Sequence, residues 1–126
     1  MERKQRFYYC PHCGNIIEKL NDSGVSVVCC GDKMLELACN TVDGVAEKHV
    51  PVVKVEDGKV MVDVGSMKHP MAPEHSIKWI LLRTRNGSQI RYLDPGDEPS
   101  ACFCVCKGDE PKEVYAYCNI HGLWRG

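Results

Sequence analysis

Four cysteines near the start of the chain constrain its fold most. Cys10 and Cys13 enclose two residues, and the adjacent pair Cys29 and Cys30 follows after fifteen more. The surrounding segment has few apolar side chains, so it needs a cross-link to hold a fold. Four thiolates arranged as a tetrahedron bind zinc or a single iron, because soft sulfur ligands suit both ions. A pair of disulfides and an inert structural zinc are the alternatives.

The adjacent pair Cys29 and Cys30 requires a local distortion of the backbone. Neighbouring side chains of a strand point to opposite faces. Both sulfurs can therefore reach one ion only if the backbone kinks between or beside them. Gly14 directly follows Cys13, where the backbone must bend for the first pair to reach the same ion.

Charge and composition narrow the class of protein. Sixteen Lys and Arg against seventeen Asp and Glu give a net charge of -1 without long runs of either sign, so we expect neither nucleic acid nor a membrane surface as a partner. The first residues lack the apolar stretch of a secretion signal, and the longest apolar run, 79–82, is too short to span a bilayer. Nine cysteines, an odd number, favour thiolate ligation to metal in a reducing compartment. We therefore expect a soluble, cytoplasmic protein.

Short strand-like runs fill most of the chain. In the first segment, FYYC and VSVVCC are two such runs, separated by the turn sequence NDSG. Later runs cover residues 50–56, 59–64, 76–85, 88–93, 101–107 and 113–117. Turn sequences such as EDGK and RNGS separate them, and no long amphipathic helix is indicated. The sequence predicts an all-β fold, with a small metal-binding module at 1–36 and an immunoglobulin-like antiparallel β-sandwich at 37–126.

Four of the five histidines and one cysteine form a second candidate metal site. They are His49, His69, His75, His121 and Cys118. His69 precedes Pro70, which favours an extended backbone, and Cys118 and His121 can bind one ion from a single turn of YCNIHG. Taken singly, each histidine is better explained as a surface residue or a satisfied core residue than as a metal ligand. The four histidines together with Cys118 are a stronger indication of a metal site than any one of them.

The order of these motifs resembles the desulfoferrodoxin family, the two-iron class of superoxide reductases. The motifs YYCPHCGN, CCG, EKHVPV, HPM, EH and YCNIHGLW occur in the family's order over essentially the whole chain. The resemblance implies two iron ions. The first, as in desulforedoxin, would be bound by Cys10, Cys13, Cys29 and Cys30. The second, reactive iron would be bound by the imidazoles of His49, His69, His75 and His121 in a plane, with the Cys118 thiolate axial.

The same resemblance implies an activity and partners. The family reduces superoxide to hydrogen peroxide by one electron, with rubredoxin as the usual donor, and forms homodimers. Five protein ligands on iron leave one octahedral position for a small molecule. Lys48 would attract the superoxide anion and order a proton-delivering water, and Glu47 would bind the ferric ion after turnover. Without the resemblance, these two residues read as a solvated ion pair, and a non-catalytic iron or zinc electron-transfer protein is the alternative function.

Four further cysteines lie outside both predicted sites. Cys102, Cys104 and Cys106, in ACFCVC, recur at period two and so share one face of a strand. That spacing separates the sulfurs too far for a compact site, and we predict that the three side chains are buried as small hydrophobes. Cys39 has no predicted role. His12, between two of the candidate ligands, is predicted to be merely exposed.

Overall fold

The chain divides into two compact units. The computed structural model describes residues 5–40 and 46–126. Contacts between Cα atoms separate Met1–Ala38 from Cys39–Gly126. Assignment of 1–36 and 37–126 as functional domains stays a prediction. In the described part of the chain, no helix has the length and apolarity needed to cross a bilayer.

The first unit contains five short strands within its described residues. In chain order these are β1 (Phe7–Tyr9), β2 (Ile16–Glu18), β3 (Val28–Cys29), β4 (Asp32–Lys33) and β5 (Leu35–Glu36). β1 pairs with β2 and β5 in an antiparallel sheet, and β3 and β4 form a separate hairpin. Phe7, Cys10 and Met34 are its buried apolar residues, a core too small to stabilise a fold alone. The run VSVVCC, expected as one strand, pairs only at its end.

The described part of the second unit contains one helical turn and seven strands. In chain order these are α1 (Ala46–His49), β6 (Pro51–Glu56), β7 (Lys59–Val64), β8 (Ile77–Thr84), β9 (Ser88–Tyr92), β10 (Ser100–Cys104), β11 (Pro111–Cys118) and β12 (Gly122–Arg125). One sheet has the order β10-β7-β6 and the other β12-β11-β8-β9, with every neighbouring pair antiparallel. The predicted all-β sandwich is confirmed. The short strand β12 was not predicted.

Alternate residues of the two sheets form one hydrophobic core. β7 contributes Val60, Val62 and Val64 at period two, which is the periodicity of a strand with one buried face. β8 is buried over almost its whole length. The core cluster also contains Ile77 and Cys118, the first residue of β8 and the last of β11. One end of the core therefore reaches Cys118, a residue of the second candidate metal site.

The three cysteines of ACFCVC do not occupy the predicted environment. Cys102, Cys104 and Cys106 are all exposed, whereas Phe103 between the first two is fully buried. The prediction of burial is therefore wrong, although Cys102 and Cys104 do share a face of β10. Alternation fixes which side chains lie together but not which face meets the core. The larger apolar residue, Phe103, takes the core side because it buries more apolar area than a cysteine.

Candidate metal centres

The four N-terminal cysteines lie together in the first unit. The sulfur atoms of Cys10, Cys13, Cys29 and Cys30 are all within 4.8 Å of one another. Cys13 Sγ lies 3.6 Å from Cys29 Sγ. A tetrahedral site with metal–sulfur bonds of about 2.3 Å has sulfur–sulfur edges of about 3.8 Å. The measured separation therefore suits four thiolates on one ion.

Two turns bring the sulfurs together. Gly14, at φ +83°, donates its N–H to the carbonyl of Cys10 at 2.9 Å and closes the first turn. The hairpin of β3 and β4 turns at Cys30 and Gly31, with φ of +53° and +80°. Positive φ at both residues is typical of a tight two-residue hairpin. This is the kink that Cys29 and Cys30 need to reach one ion.

Close contacts within the cluster shift the pKa of three of these thiols in different directions. A backbone hydrogen bond from Cys13 lowers the pKa of Cys10 to about 6. Hydrogen bonds with the sulfurs of Cys13 and Cys10 raise the pKa of Cys30 to about 12, and the pKa of Cys29 is raised for the same reason. The thiolate of Cys10 is therefore favoured, whereas those of Cys29 and Cys30 are disfavoured. A metal cation would favour ionisation of all four, so the donor set fits a metal.

Five side chains converge in the second unit, as predicted. The donor atoms of His49, His69, His75, Cys118 and His121 all lie within 4.8 Å of one another. Neighbouring ring centroids are 4.6 Å apart for His49 and His69, 4.7 Å for His69 and His75, 5.1 Å for His75 and His121 and 4.7 Å for His121 and His49. Across the group, the centroids of His49 and His75 are 6.4 Å apart. These distances describe a nearly square ring of four imidazoles.

Hydrogen bonds alone cannot account for the close contacts among the ring nitrogens of these four histidines. His49 Nε2 lies 3.0 Å from His121 Nδ1 and 3.1 Å from His69 Nε2. A ring nitrogen carries either a proton or a lone pair, so it can hydrogen-bond in only one of these contacts. His75 Nε2 is buried without a hydrogen-bond partner among the described residues. A shared cation would satisfy all of these atoms, so the residues present fit a metal ion.

Burial keeps two of the imidazoles neutral. It lowers the pKa of His69 to about 4, and the other three imidazoles act in the same direction. It also lowers the pKa of His75, to which the charges of His121 and Lys48 add. His69 Nδ1 donates to the Pro70 carbonyl at 2.6 Å, which leaves its Nε2 with the lone pair. At neutral pH these side chains can therefore bind a metal without first losing a proton.

The helical turn α1 places His49, and a close backbone approach holds the turn. The Glu47 carbonyl accepts hydrogen bonds from the Met67 N–H at 2.8 Å and the Ser66 hydroxyl at 3.2 Å. A Cβ on Gly65, at φ +62°, would lie 2.2 Å from the Glu47 carbonyl oxygen and 2.6 Å from Lys48 Cα. Only glycine allows this approach. Sequence patterns for strands missed this role, because the signal is a contact between distant segments.

Asn119 joins the two segments that carry His75 and the Cys118–His121 turn. Its Oδ1 accepts the Ser76 N–H at 2.9 Å, and its Nδ2 donates to the Glu74 carbonyl at 3.0 Å. The turn itself is closed by the His121 N–H, which donates to Cys118 Sγ at 3.4 Å. Asn119 stands between the two candidate ligands in YCNIHG, so its position was the available sequence signal. It was not predicted to contribute.

Trp124 supports the same group from β12. Its ring stacks on His49 with centroids 4.9 Å apart and an interplanar angle of 26°. Its Nε1 donates to the His121 carbonyl at 3.0 Å. One buried side chain thus touches two members of the imidazole ring.

Glu47 and Lys48 occupy different positions from the five donors. Glu47 is exposed, and its carboxylate is not a member of the donor group. Lys48 is half-buried, and its charge contributes to the lowered pKa of His75. Both lie in the helical turn α1, which ends just before β6 begins at Pro51. In the first unit, His12 is exposed as predicted, and it pairs with Asp32 at 2.6 Å.

Comparison with known families identifies the chain. A family model described as Desulfoferrodoxin matches residues 41–126, and one described as Desulfoferrodoxin, N-terminal domain, matches residues 2–37. The chain belongs to the desulfoferrodoxin family. The resemblance inferred from the motifs is confirmed, and both units are matched by models of this family.

Individual desulfoferrodoxins are similar over the whole chain. The desulfoferrodoxin of Syntrophotalea carbinolica is 45% identical over 124 residues, which cover 98% of this chain and 97% of the relative. That of Nitratidesulfovibrio vulgaris is 43% identical over 125 residues, covering 99% and 98%. Among solved structures, the superoxide reductase from Treponema pallidum matches with a TM-score of 0.83 at 37% identity, covering 98% of this chain and 99% of that one.

The two donor sets fit the two iron centres of a desulfoferrodoxin. The four-sulfur set lies in the unit matched by the N-terminal family model, and the set of four imidazoles and one thiol lies in the other. Soft thiolates suit a single tetrahedral iron, and imidazoles with one thiolate suit an iron that changes oxidation state. The individual ligand and catalytic roles are proposals.

Proposed function

We propose that this chain is a superoxide reductase, which converts one superoxide, one electron and two protons into hydrogen peroxide. The observation that carries the proposal is the ring of four imidazoles joined by Cys118. Family membership and similarity to the Treponema pallidum superoxide reductase support it. No observation favours the alternative of a non-catalytic metal protein.

His49, His69, His75, His121 and Cys118 would hold the reactive iron. When bound there, ferrous iron supplies the electron, and the thiolate increases electron density at the metal. Within residues 5–40 and 46–126, no sixth histidine, cysteine or carboxylate joins the five donors. Five protein ligands would leave room for a small molecule on a bound iron that accepts six ligands. Burial lowers the pKa of His69 and His75, so these two imidazoles are neutral at pH 7, which favours the ferrous state over a more highly charged one.

Lys48 would attract superoxide and supply protons. The positive charge of Lys48 lowers the pKa of His75, so its electrostatic effect extends to the ring of four imidazoles. An ammonium group binds water strongly and has three donors, so Lys48 Nζ can order a water beside the reacting anion. Electrostatic attraction of this kind raises association rates by about 10- to 1,000-fold. It weakens as salt screens the charge.

Substitution of Lys48 tests this role. Lys48→Ile should slow the bimolecular reaction with superoxide by about tenfold or more and flatten its dependence on ionic strength. Lys54→Ile is the matched control, because Lys54 is exposed on β6 and the change in net charge is the same. Pulse radiolysis measures both rates. Equal rates and salt slopes in the two variants would contradict attraction by Lys48.

Glu47 would bind the ferric ion after turnover, when the harder ion favours an oxygen ligand. Its exposed carboxylate would have to move toward the five donors, which it does not join here. Glu47→Ala should leave the reaction with superoxide unchanged but shift the absorption spectrum of the oxidised protein. An unchanged ferric spectrum would rule out the carboxylate as a ligand.

The remaining features of the proposal concern partners, location and domains. Family membership supports rubredoxin as electron donor, testable by stopped-flow reduction with reduced rubredoxin.

Exposed apolar side chains on β6, at Val52, Val53 and Val55, support a homodimer, testable by sedimentation equilibrium. The nine cysteines of the chain support a reducing, cytoplasmic location, testable by cell fractionation. The family models at 2–37 and 41–126 support an iron module at 1–36 and a catalytic sandwich at 37–126.

A further inference from the structure

The outer face of the sheet β10-β7-β6 carries three sulfur atoms that neither metal centre uses. Cys102 and Cys104 are exposed on β10, because Phe103 between them faces the core. Cys102 lies directly opposite Met61 of β7, and Cys104 lies opposite Lys59. Met61 is half-buried on the same face. Free cysteines are usually buried, so two exposed thiols beside a thioether are unusual.

The hydrogen bonds of β10 show how close the opposing side chains are. The Cys102 carbonyl accepts a bond from Arg91 Nη2 at 3.2 Å, and the Cys104 carbonyl accepts one from Gln89 Nε2 at 2.8 Å. Both donors belong to β9, so these carbonyls point away from β7. Cys102 and Met61 therefore form a non-hydrogen-bonded pair, the arrangement in which opposing side chains approach most closely, with Cβ atoms about 4.5–5.5 Å apart.

The period-two spacing is too long for a compact site of four ligands, but Cys104 is near enough to share an ion of low coordination number with this pair. It lies two residues along the same strand face, about 7 Å from Cys102 between equivalent atoms. Each sulfur can turn toward the other by rotation about χ1, and both side chains are free to do so on an exposed face. The arrangement is too open for a tetrahedral zinc site, which needs four converging ligands. It suits an ion that accepts few ligands.

We propose that Met61, Cys102 and Cys104 bind a soft monovalent cation of the Cu(I) class. Thiolate and thioether sulfurs select such ions over harder metals, and Cu(I) accepts low coordination numbers. Binding one Cu(I) with both thiols ionised releases two protons and leaves one net negative charge on the complex. Lys59 is the cross-strand partner of Cys104, so its long side chain can bring an ammonium group to the complex and offset that charge. The site is separate from both iron centres and does not depend on the superoxide reductase proposal.

Anaerobic titration of the reduced, iron-loaded protein with Cu(I), against a competing Cu(I) chelator, tests the proposal. The protein should bind one Cu(I) with both irons retained. Loss of a side chain that only hydrogen-bonds to a metal ligand lowers metal affinity by about 10- to 100-fold. Loss of a ligand itself should have a larger effect, so Cys102→Ser and Cys104→Ser should each weaken Cu(I) binding at least about 100-fold. Met61→Leu, which keeps the side-chain volume, should weaken it by about tenfold.

Cys106→Ser and Cys39→Ser are the matched controls. Cys106 is also exposed but lies beyond the end of β10, and Cys39 lies outside the sheet. Both variants should bind Cu(I) as tightly as the unaltered chain. Equal loss in Cys106→Ser, unchanged affinity in Cys102→Ser, or release of iron with the first equivalent of Cu(I) would overturn the proposal. All substituted cysteines are exposed or half-buried, so unchanged optical spectra of the iron centres verify that the variants fold.

Discussion

At the scale of single residues, Gly65 controls where Lys48 and His49 lie. Gly65→Ala would push a Cβ into the Glu47 carbonyl and the Lys48 backbone. We expect a loss of unfolding free energy of about 1–3 kcal/mol from strain and displacement, together with less iron bound by the histidine site. Chemical denaturation and iron analysis measure the two effects.

Gly108→Ala is the control for Gly65→Ala. Gly108 also has positive φ, at +91°, but a Cβ there meets nothing within 4 Å. It should lower stability through backbone strain alone and leave the iron content unchanged. If both variants retained the same iron, the close approach of Gly65 to α1 would not position His49.

Trp124 should affect how firmly the histidine site holds iron. Trp124→Leu removes both the stacking on His49 and the hydrogen bond to His121, whereas Trp124→Phe removes only the hydrogen bond. We expect the leucine variant to release iron to a chelator about tenfold faster than the unaltered chain, and the phenylalanine variant to release it at an intermediate rate. The reduction potential of the site should shift in the same order. Trp79→Phe, a substitution in a ring that stacks on Tyr117, is the control and should change neither quantity.

At the scale of elements, one ion pair joins the two longest strands of the larger sheet. Arg83 of β8 donates to Glu113 of β11 at 3.1 Å, and the Tyr115 hydroxyl also donates to Glu113. Burial raises the pKa of Glu113, but the hydrogen bonds from Tyr115 and Arg83 and the charges of Arg83 and Arg125 together lower it more, so the pKa lies below its ordinary value. Glu113 therefore stabilises the fold above about pH 4.5, and this contribution is lost as the pH falls through the lowered pKa.

Glu113→Gln should remove this contribution. Because Arg83 has only 8% of its side chain exposed, loss of the Glu113 charge should lower the free energy of unfolding by about 1–3 kcal/mol at pH 7. The difference in this free energy between the variant and the unaltered chain should shrink as the pH falls below 4.5. The control is Glu110→Gln, in an exposed ion pair with Lys112, which should lower the free energy of unfolding by less than about 1 kcal/mol. Denaturation at several pH values measures this, and a constant difference across pH would contradict the role of the Glu113 charge.

At the scale of the whole molecule, the two units have separate donor sets and separate sets of buried residues. Cys13→Ser should therefore remove the iron of the four-cysteine centre and its optical bands. Superoxide reduction by the histidine site should change by less than about twofold, because its ligands and core lie in the other unit. Metal analysis and pulse radiolysis test this. Loss of both irons in the variant would mean that the first unit maintains the second.

Much of this molecule follows from sequence alone, for local reasons. Cysteine spacing indicated a four-sulfur site, and alternating apolar residues with Asn-Gly and Asp-Gly turns indicated an antiparallel sandwich. Both signals act over a few residues, where backbone geometry limits the outcomes. The five residues of the second donor set were proposed from a resemblance in motif order, since no spacing rule links His49 to His121 across 72 positions.

The tertiary structure alone decided which surfaces meet. Period two placed Cys102 and Cys104 on one face of a strand, but competition with Phe103 for the core turned that face to solvent. The contact of Gly65 with α1 and the stacking of Trp124 on His49 likewise join segments far apart in the chain. Local sequence restricts backbone angles and alternation, whereas burial and close contact depend on what the rest of the chain packs against each face.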